Sequence, residues 1–350
     1  MFTITDGIKT LVEGHQISKD QMSDVMRDIM SGNAHHAQIG SFLTALRMKG
    51  ETPDVIAGAA LIMREFANAI DPKCKGRLVD TCGTGGDQCN TFNISTISAI
   101  VAAGAGVIIA KHGNRSVSSS CGSADLLEAF GVNIALEPKK VEEVIENIGI
   151  GFMFAPSFHP AMKHAMPVRK ALGLRTIFNI LGPLSNPASA RAHILGVFDK
   201  DLVPVMTESM AALGAEHAYI VHSEPGIDEI VPVSRTYLGI IKDGKVSYDE
   251  MNPEDFHMDP VNISDIEGGS PEDNLKIAVD ILNGTDKGIH RHIVLVNSAY
   301  AILASGIVDS LTEAFKAAEE SIDSGKAKEK LQDLVAETGG SKDSFEEAFK

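Results

Sequence analysis

Along residues 1–72, apolar side chains recur three and four positions apart and never alternate in strand fashion, so this block is expected to be helical throughout. Val55, Ile56, Ala59, Ile62, Met63 and Phe66 trace one such stripe. Ser18-Lys19-Asp20-Gln21 has the form of a capping box, in which a serine hydroxyl and a glutamine amide each accept a backbone N–H at the start of a helix. Thr52-Pro53 places a capping hydroxyl ahead of a proline at the first helical position, where the missing N–H costs nothing.

From Leu78 the texture changes. Short apolar runs at 78–79, 107–110, 151–154, 193–197, 219–221 and 293–296 are separated, for the most part, by helical patterns at 95–105, 123–130, 138–147, 199–213, 273–284 and 310–323. Continuous apolar runs between amphipathic helices indicate strands buried on both faces of a largely parallel sheet. Segment 158–181 reads as helical again, with breaks at Pro167 and Gly173, and is expected to fold back onto the N-terminal helices. With 350 residues, the chain is too long for one simple core. The expectation is an α/β protein: a small helical domain at 1–72, joined by 158–183, and a larger α/β domain of 73–157 and 184–350 with a mostly parallel central sheet. The Lys/Glu-rich tail, 310–350, reads as an amphipathic, solvated face.

Charge narrows the partners. A net −16 repels nucleic acid and anionic lipid, and a chain without Trp and with only 5% aromatics lacks the usual means of stacking bases. Yet there is no acidic residue between Asp87 and Asp125, nor over residues 147–198, which hold Lys163, Arg169, Lys170, Arg175 and Arg191. Two long acid-free stretches in so acidic a chain suggest an electropositive cleft for an anionic substrate; apolar burial with a few solvated bases is the plainer alternative. Cys74, Cys82, Cys89 and Cys121 form neither a Cys-x-x-Cys pair nor a zinc pattern, so free thiols in a reducing cytoplasm are expected. The opening residues show no export signal, and no apolar run has membrane-spanning length.

Four motifs carry candidate chemistry. Asp80-Thr81-Cys82-Gly83-Thr84-Gly85-Gly86-Asp87 follows a short strand, and its glycines let backbone N–H groups approach an anion. No Gly-Lys-Ser/Thr follows, so it is not a P-loop, and Gln88 stands where a dinucleotide fingerprint has its third glycine. Asn93-Ile94-Ser95-Thr96 begins a helix, where free N–H groups suit phosphate, although an ordinary N-cap reads the same way. Lys111-His112-Gly113-Asn114-Arg115-Ser116-Val117-Ser118-Ser119-Ser120 lies at a strand's C-terminal end and packs two cations and four serines into ten residues. Gly226-Ile227-Asp228-Glu229 offers adjacent carboxylates of the kind that hold Mg2+ beside substrate phosphates, or simply surface charge.

Taken together, and with Pro-Val-Arg-Lys-x-Leu-Gly-x-Arg-Thr-Ile-Phe-Asn-x-Leu-Gly-Pro-Leu-x-Asn-Pro at 167–187, these motifs resemble the anthranilate phosphoribosyltransferase family in order and spacing, over essentially the whole chain. The resemblance implies a fold of the nucleoside phosphorylase and phosphoribosyltransferase type, a homodimer formed through the helical domain, and a Mg2+-dependent enzyme acting on phosphoribosyl pyrophosphate (PRPP) and anthranilate. It implies that Gly83, Gly86 and Asp87 hold the diphosphate and ribose of PRPP, that Thr91, Asn93, Ser95 and Thr96 continue that site, and that Lys111, His112, Gly113, Asn114, Arg115, Ser116, Val117, Ser118, Ser119 and Ser123 cradle the phosphates. Gly83, Asn114 and Arg169 would contact anthranilate. Ser95, Asp228 and Glu229 would lie at the metal. Where the family more often has a Gly/Asp-rich loop before Gly-Leu-Asp-Glu, this chain has Ser223-Glu224-Pro225 before Gly-Ile-Asp-Glu.

In the reaction so implied, an amine displaces pyrophosphate at C1 of the ribose. The arylamine is neutral near pH 7 and needs positioning more than deprotonation, so no general base is assigned; Lys111 would supply electrostatic stabilisation. A pyrimidine nucleoside phosphorylase, which also attacks C1 of a ribosyl group, is the alternative. A silent homologue that binds nucleic acid is disfavoured by the acidity and by the Asp228-Glu229 pair, and a type I phosphoribosyltransferase by the lack of its acidic motif.

Overall fold

In the computed structural model, which describes residues 2–86, 89–115, 121–256 and 261–350, four helices open the chain: α1 (Ile4–Val12), α2 (Lys19–Met30), α3 (His36–Lys49) and α4 (Pro53–Glu65). The capping box of α2 forms as the sequence predicts, with Ser18 and Gln21 bonded to each other's backbone. Thr52 caps α4, with Pro53 in its first turn. Then follow β1 (Leu78–Gly83), α5 (Ile94–Gly104), β2 (Ile108–Gly113), α6 (Ser123–Ala129), α7 (Pro138–Ile148) and β3 (Ile150–Phe154). A strap of short turns comes next: α8 (Ala155–Phe158), α9 (Met166–Leu172) and α10 (Phe178–Leu181), interleaved with 3-10 turns at Pro160–His164 and Gly182–Leu184. The rest comprises β4 (Ala192–Gly196), α11 (Leu202–Ala212), β5 (His217–Ser223), β6 (Thr236–Lys242), β7 (Lys245–Met251), α12 (Pro271–Leu282), α13 (Ile289–Ser305), α14 (Leu311–Asp323), α15 (Lys326–Glu337) and α16 (Lys342–Ala348).

The strands form one sheet in the order β3-β2-β1-β4-β5-β6-β7, parallel from β3 to β5 and antiparallel for the last two pairs. Alternate residues of β1, β4, β5 and β6 feed two cores on opposite faces. In β4, Ala192 and Ile194 join the core built with α5, α13 and α15, whereas Leu195 joins the core built with α4, α11 and the N-terminal helices. The strap belongs to this second core through Val168, Ile177, Phe178, Ile180, Leu181 and Leu184. At roughly 1.5–3 kcal/mol for each large apolar side chain, such shared burial is what holds the helical block to the sheet.

Three sequence expectations need correcting. The apolar run 293–296 is not a strand but the middle of α13, where Ile293 to Val296 are all buried; a helix sandwiched between neighbours is apolar all round and imitates a strand in a short window. Pro167 does not break a helix but opens α9, in whose first turn it sits, while Gly173 ends it in the left-handed region. The β6–β7 hairpin was not anticipated, although Asp243-Gly244, both at positive φ, is the two-residue turn that favours one.

Between the sheet and the helical block lies a buried polar layer. Asp80 in β1 stands in register beside His193 in β4, and both are fully buried. Asn186 of the strap donates to Asp80 Oδ2 at 2.7 Å. Arg64 of α4 donates to the Leu184 carbonyl at 2.8 Å. The His112 and His159 rings lie 5.0 Å apart. Burial pushes Asp80 up to about 6, against the pull of Lys111. It pushes His112 down to about 3, with His159 adding, and brings His159 and His193 each down to about 4.

These shifts set how stability follows pH. The three histidines stay neutral in the folded chain but protonate near 6.5 when unfolded, so from pH 6.5 to about 4.5 unfolding takes up to about three protons at these sites. Asp80 runs the other way, since its raised value leaves it protonated when folded and ionised when unfolded over much of that window. The net uptake of about two protons makes stability fall on acidification by roughly 2.7 kcal/mol per pH unit at its steepest. Urea unfolding midpoints measured from pH 6.5 to 4.5 should decrease; a flat or rising trend would contradict burial of neutral histidines.

Candidate functional site

The sheet reverses its winding between β1 and β4, with β2 and β3 added on one side and β5 on the other. Loops from β1 and β4 therefore part there, opening a crevice above the strands' C-terminal ends. Gly83 ends β1 and pairs with Gly196, which ends β4. A Cβ on Gly83 would collide with the Asp228 carboxylate, and one on Gly196 with the Asp228 carbonyl. The two glycines thus let the acidic loop after β5 lie directly across both strand ends. Asp228 Oδ2 accepts the Gly85 N–H at 2.8 Å, Thr84 N–H donates to Gly196 O at 2.9 Å, and Phe198 N–H donates to Thr84 Oγ1 at 3.1 Å. Gly85 and Gly86 have φ of 63° and 77°, the left-handed region in which glycine carries no steric penalty.

The acidic loop is held from below. Ser223 Oγ donates to the Glu229 carbonyl at 2.7 Å, the Ile227 N–H donates back to Ser223 O, and Asn297 of α13 bonds both backbone groups of Ile230. The Ser223-Glu224-Pro225 variation is thus absorbed, with Tyr237 OH donating to Glu224 at 2.8 Å. Asp228 is buried; Glu229 lies close enough for its charge to act on Cys82 and Lys111. Among the described residues there is no group of three or more His, Cys, Asp or Glu side chains able to hold a metal. A pair of carboxylates suits a hard cation whose other ligands are phosphate oxygens and water.

Helix α5 starts at the same crevice. Its Asn93 does not cap it; the side-chain amide donates to Cys121 O and Asn274 Oδ1, both at 3.2 Å. Among the described residues the helix's N-cap side chain thus leaves the first N–H groups open, and Ser95 and Thr96 lie in this turn, a setting that favours an anion. Thr91, just before it, pairs with Glu267. Lys111 reaches this turn from β2: its Nζ donates to the Thr81 carbonyl, with Thr81 Oγ1 at 3.3 Å and Ser95 Oγ at 3.4 Å. Burial lowers its pKa, while Asp80, Cys82 and Glu229 oppose the shift. The ammonium thus sits beneath the α5 turn.

The other motif residues divide. Gly113 packs so tightly on Ser123 and Phe152 that no Cβ fits, and Asn114 O accepts from Ser123 Oγ at 3.1 Å. Arg115 turns away onto α6, donating to Asp125 at 3.0 Å and to Glu128 at 2.9 Å, and His112 lies in the buried polar layer. Asp87 and residues 116–119 lie outside the described residues.

Arg169, in α9, has its guanidinium 5.5 Å from the Phe178 ring centroid and Nη1 3.6 Å from Met166 Sδ. Burial alone pulls its pKa down, with no carboxylate among the described residues near enough to oppose it. Six residues on, Arg175 lies 4.1 Å over the Phe198 ring and donates to the Gly86 carbonyl, tying the strap to the Gly-rich turn. Sequence reasoning counted Arg175 only as one of the cations of an acid-free stretch, and it passed over Asp80 and Asn186 as site elements. Asp80 opens the first motif and Asn186 closes the last, so their positions were the available signal.

Residues 75–328 match the glycosyl transferase family's α/β domain, and residues 5–67 match its helical bundle domain. An anthranilate phosphoribosyltransferase of Persephonella marina is 49% identical over 331 residues, covering 95% of this chain and 98% of the relative. The crystal structure of anthranilate phosphoribosyltransferase from Thermus thermophilus superimposes with a TM-score of 0.89 at 40% identity, covering 95% of this chain and 99% of the other. The Saccharomyces cerevisiae anthranilate phosphoribosyltransferase in complex with PRPP and Mg has a TM-score of 0.87 at 29% identity, with 96% and 98% of the two chains covered.

Proposed function

The chain belongs to the anthranilate phosphoribosyltransferase family, and we propose that its crevice above β1 and β4 transfers the 5-phosphoribosyl group of PRPP to the amine of anthranilate, yielding N-(5-phosphoribosyl)anthranilate and pyrophosphate. The observation that carries this reading is the bond between Asp228 and the Gly85 N–H, which brings an acidic pair against a glycine-rich anion turn. In this reading Gly83, Gly86 and Asp87 hold the diphosphate and ribose, continued by Thr91, Asn93, Ser95 and Thr96. Asn114 and the loop 111–119, with Ser123, take the phosphates. Asp228 and Glu229 hold Mg2+, with Ser95 beside it; when bound, the ion neutralises the diphosphate as a leaving group. Lys111 acts from below, its charge reaching the phosphates through Thr81 and Ser95. Arg169 and Asn114 orient anthranilate, and Gly83 lies between the two substrates. The uncharged arylamine is delivered by positioning, and no side chain is assigned as a general base. A pyrimidine nucleoside phosphorylase reading is not favoured, since the relatives compared carry the transferase name.

The enzyme is also proposed to be a homodimer formed through the helical block, where Val12 is 73% and Met48 85% exposed on helices too few to bury all their apolar faces. Free thiols at Cys74 and Cys82 support a reducing cytoplasm as its location.

Three outcomes follow. Asp228→Asn combined with Glu229→Gln should abolish Mg2+-dependent turnover in an anthranilate fluorescence assay while leaving the circular dichroism spectrum unchanged; near-normal activity would remove these residues from the metal site. Arg169→Ala removes a hydrogen bond to a charged group, worth roughly 1.5–3 kcal/mol, and should raise the KM for anthranilate about tenfold to a hundredfold with much less effect on PRPP. Equal effects on both substrates, or none, would rule out the clamp. Light scattering at micromolar concentration should give twice the mass of the chain; a monomer would refute the dimer.

A further inference from the structure

β1 and β2 pair only at Leu78↔Ile108 and Val79↔Ile109, whereas β1 and β4 stay paired over five residues, from Val79↔Ala192 to Gly83↔Gly196. Beyond Val79 the β1–β2 ladder opens, and side chains replace it. Asp80 Oδ1 accepts the His112 N–H at 3.1 Å. Asn186 Nδ2 donates to the Ala110 carbonyl at 2.9 Å and to Asp80 Oδ2 at 2.7 Å, while its Oδ1 accepts the Ala188 N–H at 2.9 Å. On the opposite face, Lys111 Nζ holds the Thr81 carbonyl. Asp80 and Asn186 are both fully buried, and every bond here has ordinary length or shorter.

We infer that Asp80 and Asn186 are positioning residues of the transfer site: together they wedge the ends of β1 and β2 apart and fix the spacing between the Gly-rich turn and the Lys111–Gly113 end of β2. The inference rests on the proposed function of this crevice. The wedge does three things. It satisfies the backbone groups that the opened ladder would leave buried and unpaired. It holds an anion near the buried Lys111 ammonium, whose charge would otherwise lack a counterion on that side. And because Asn186 follows the last turn of the strap, it anchors the strap's C-terminal end to β1 and β2.

Asn186→Ala tests this. Neither side chain is assigned to a substrate, so its loss acts by displacing the ends of β1 and β2, and displacements near 1 Å cost up to about a hundredfold in rate. The expected result is a PRPP KM raised roughly tenfold or more and a reduced kcat, with the anthranilate KM within about twofold of the parent enzyme. A purely structural role would lower the amount of active enzyme and leave both KM values unchanged well below the melting temperature, which would overturn the inference. If activity is instead lost while PRPP and Mg2+ still bind as in the parent enzyme, the wedge inference fails without touching the family reading.

Should Asn186→Ala not fold, Asn186→Asp decides. It places a second carboxyl against Asp80, repelling when both are ionised and sharing a proton when one is not. Other groups facing Asp80 are Lys111 and His112 from β2, Cys82 from β1 and His193 from β4, with His159 and Arg64 behind them. All are present in the parent enzyme, so the readout is the ratio of variant to parent kcat/KM for PRPP at each pH. That ratio should rise severalfold from pH 8 to pH 6; a ratio independent of pH would overturn the inference.

Discussion

Two glycines at the ends of neighbouring strands set the geometry on which the site depends. Any side chain at Gly83 or Gly196 would push the Asp228 loop away from the strand ends, because carboxylate and carbonyl already occupy the space a Cβ needs. With both absent, the acidic loop settles onto the sheet and Asp228 takes the Gly85 N–H, which ties the Gly-rich turn to the acidic loop. Donors and acceptors fixed in this way by bonds within the protein stabilise developing charge well, since such dipoles need not reorganise during the reaction.

The charge map explains how a chain of net −16 can serve a polyanion. Its cations near the crevice are not equivalent. Arg115 is already neutralised by Asp125 and Glu128, Arg175 is committed to a backbone carbonyl and an aromatic face, and Lys111 is buried under α5. The field at the mouth is therefore shaped by an uncapped helix start and by a cation below it, rather than by a cluster of exposed lysines. In an acidic protein this gives local attraction for phosphate.

How far all this could be read from sequence follows from range. The capped helices α2 and α4 and the buried strands β1 to β5 were legible because caps and apolar runs are local signals. The middle of α13 misled because burial on all sides erases periodicity, and the Asp243-Gly244 hairpin was passed over among helical patterns. In the site, the Gly-rich turn and the Asp228 loop were found as motifs, but their mutual contact joins residues 143 positions apart and no spacing rule announces it. Asp80 and Asn186 went unread for a related reason. A buried polar residue looks like any other polar residue until the fold shows which backbone groups it satisfies.

Arg169 shows the stability cost that such a site accepts. Its guanidinium is buried enough for desolvation to lower its pKa, and a Phe178 face and a Met166 sulfur are weak substitutes for a counterion. Such a half-buried cation gains from a nearby carboxylate, yet the whole stretch 147–198 contains none. In the proposed reading that demand is met by the anthranilate carboxylate beside α9. A carboxylate that supplies two parallel hydrogen bonds would gain both their energy and the desolvation already incurred in folding, an advantage for an arginine that has no carboxylate partner among the described residues over one that must first leave a protein partner. The same logic separates it from Arg115, whose acidic partners on α6 must be exchanged before it can contribute to binding.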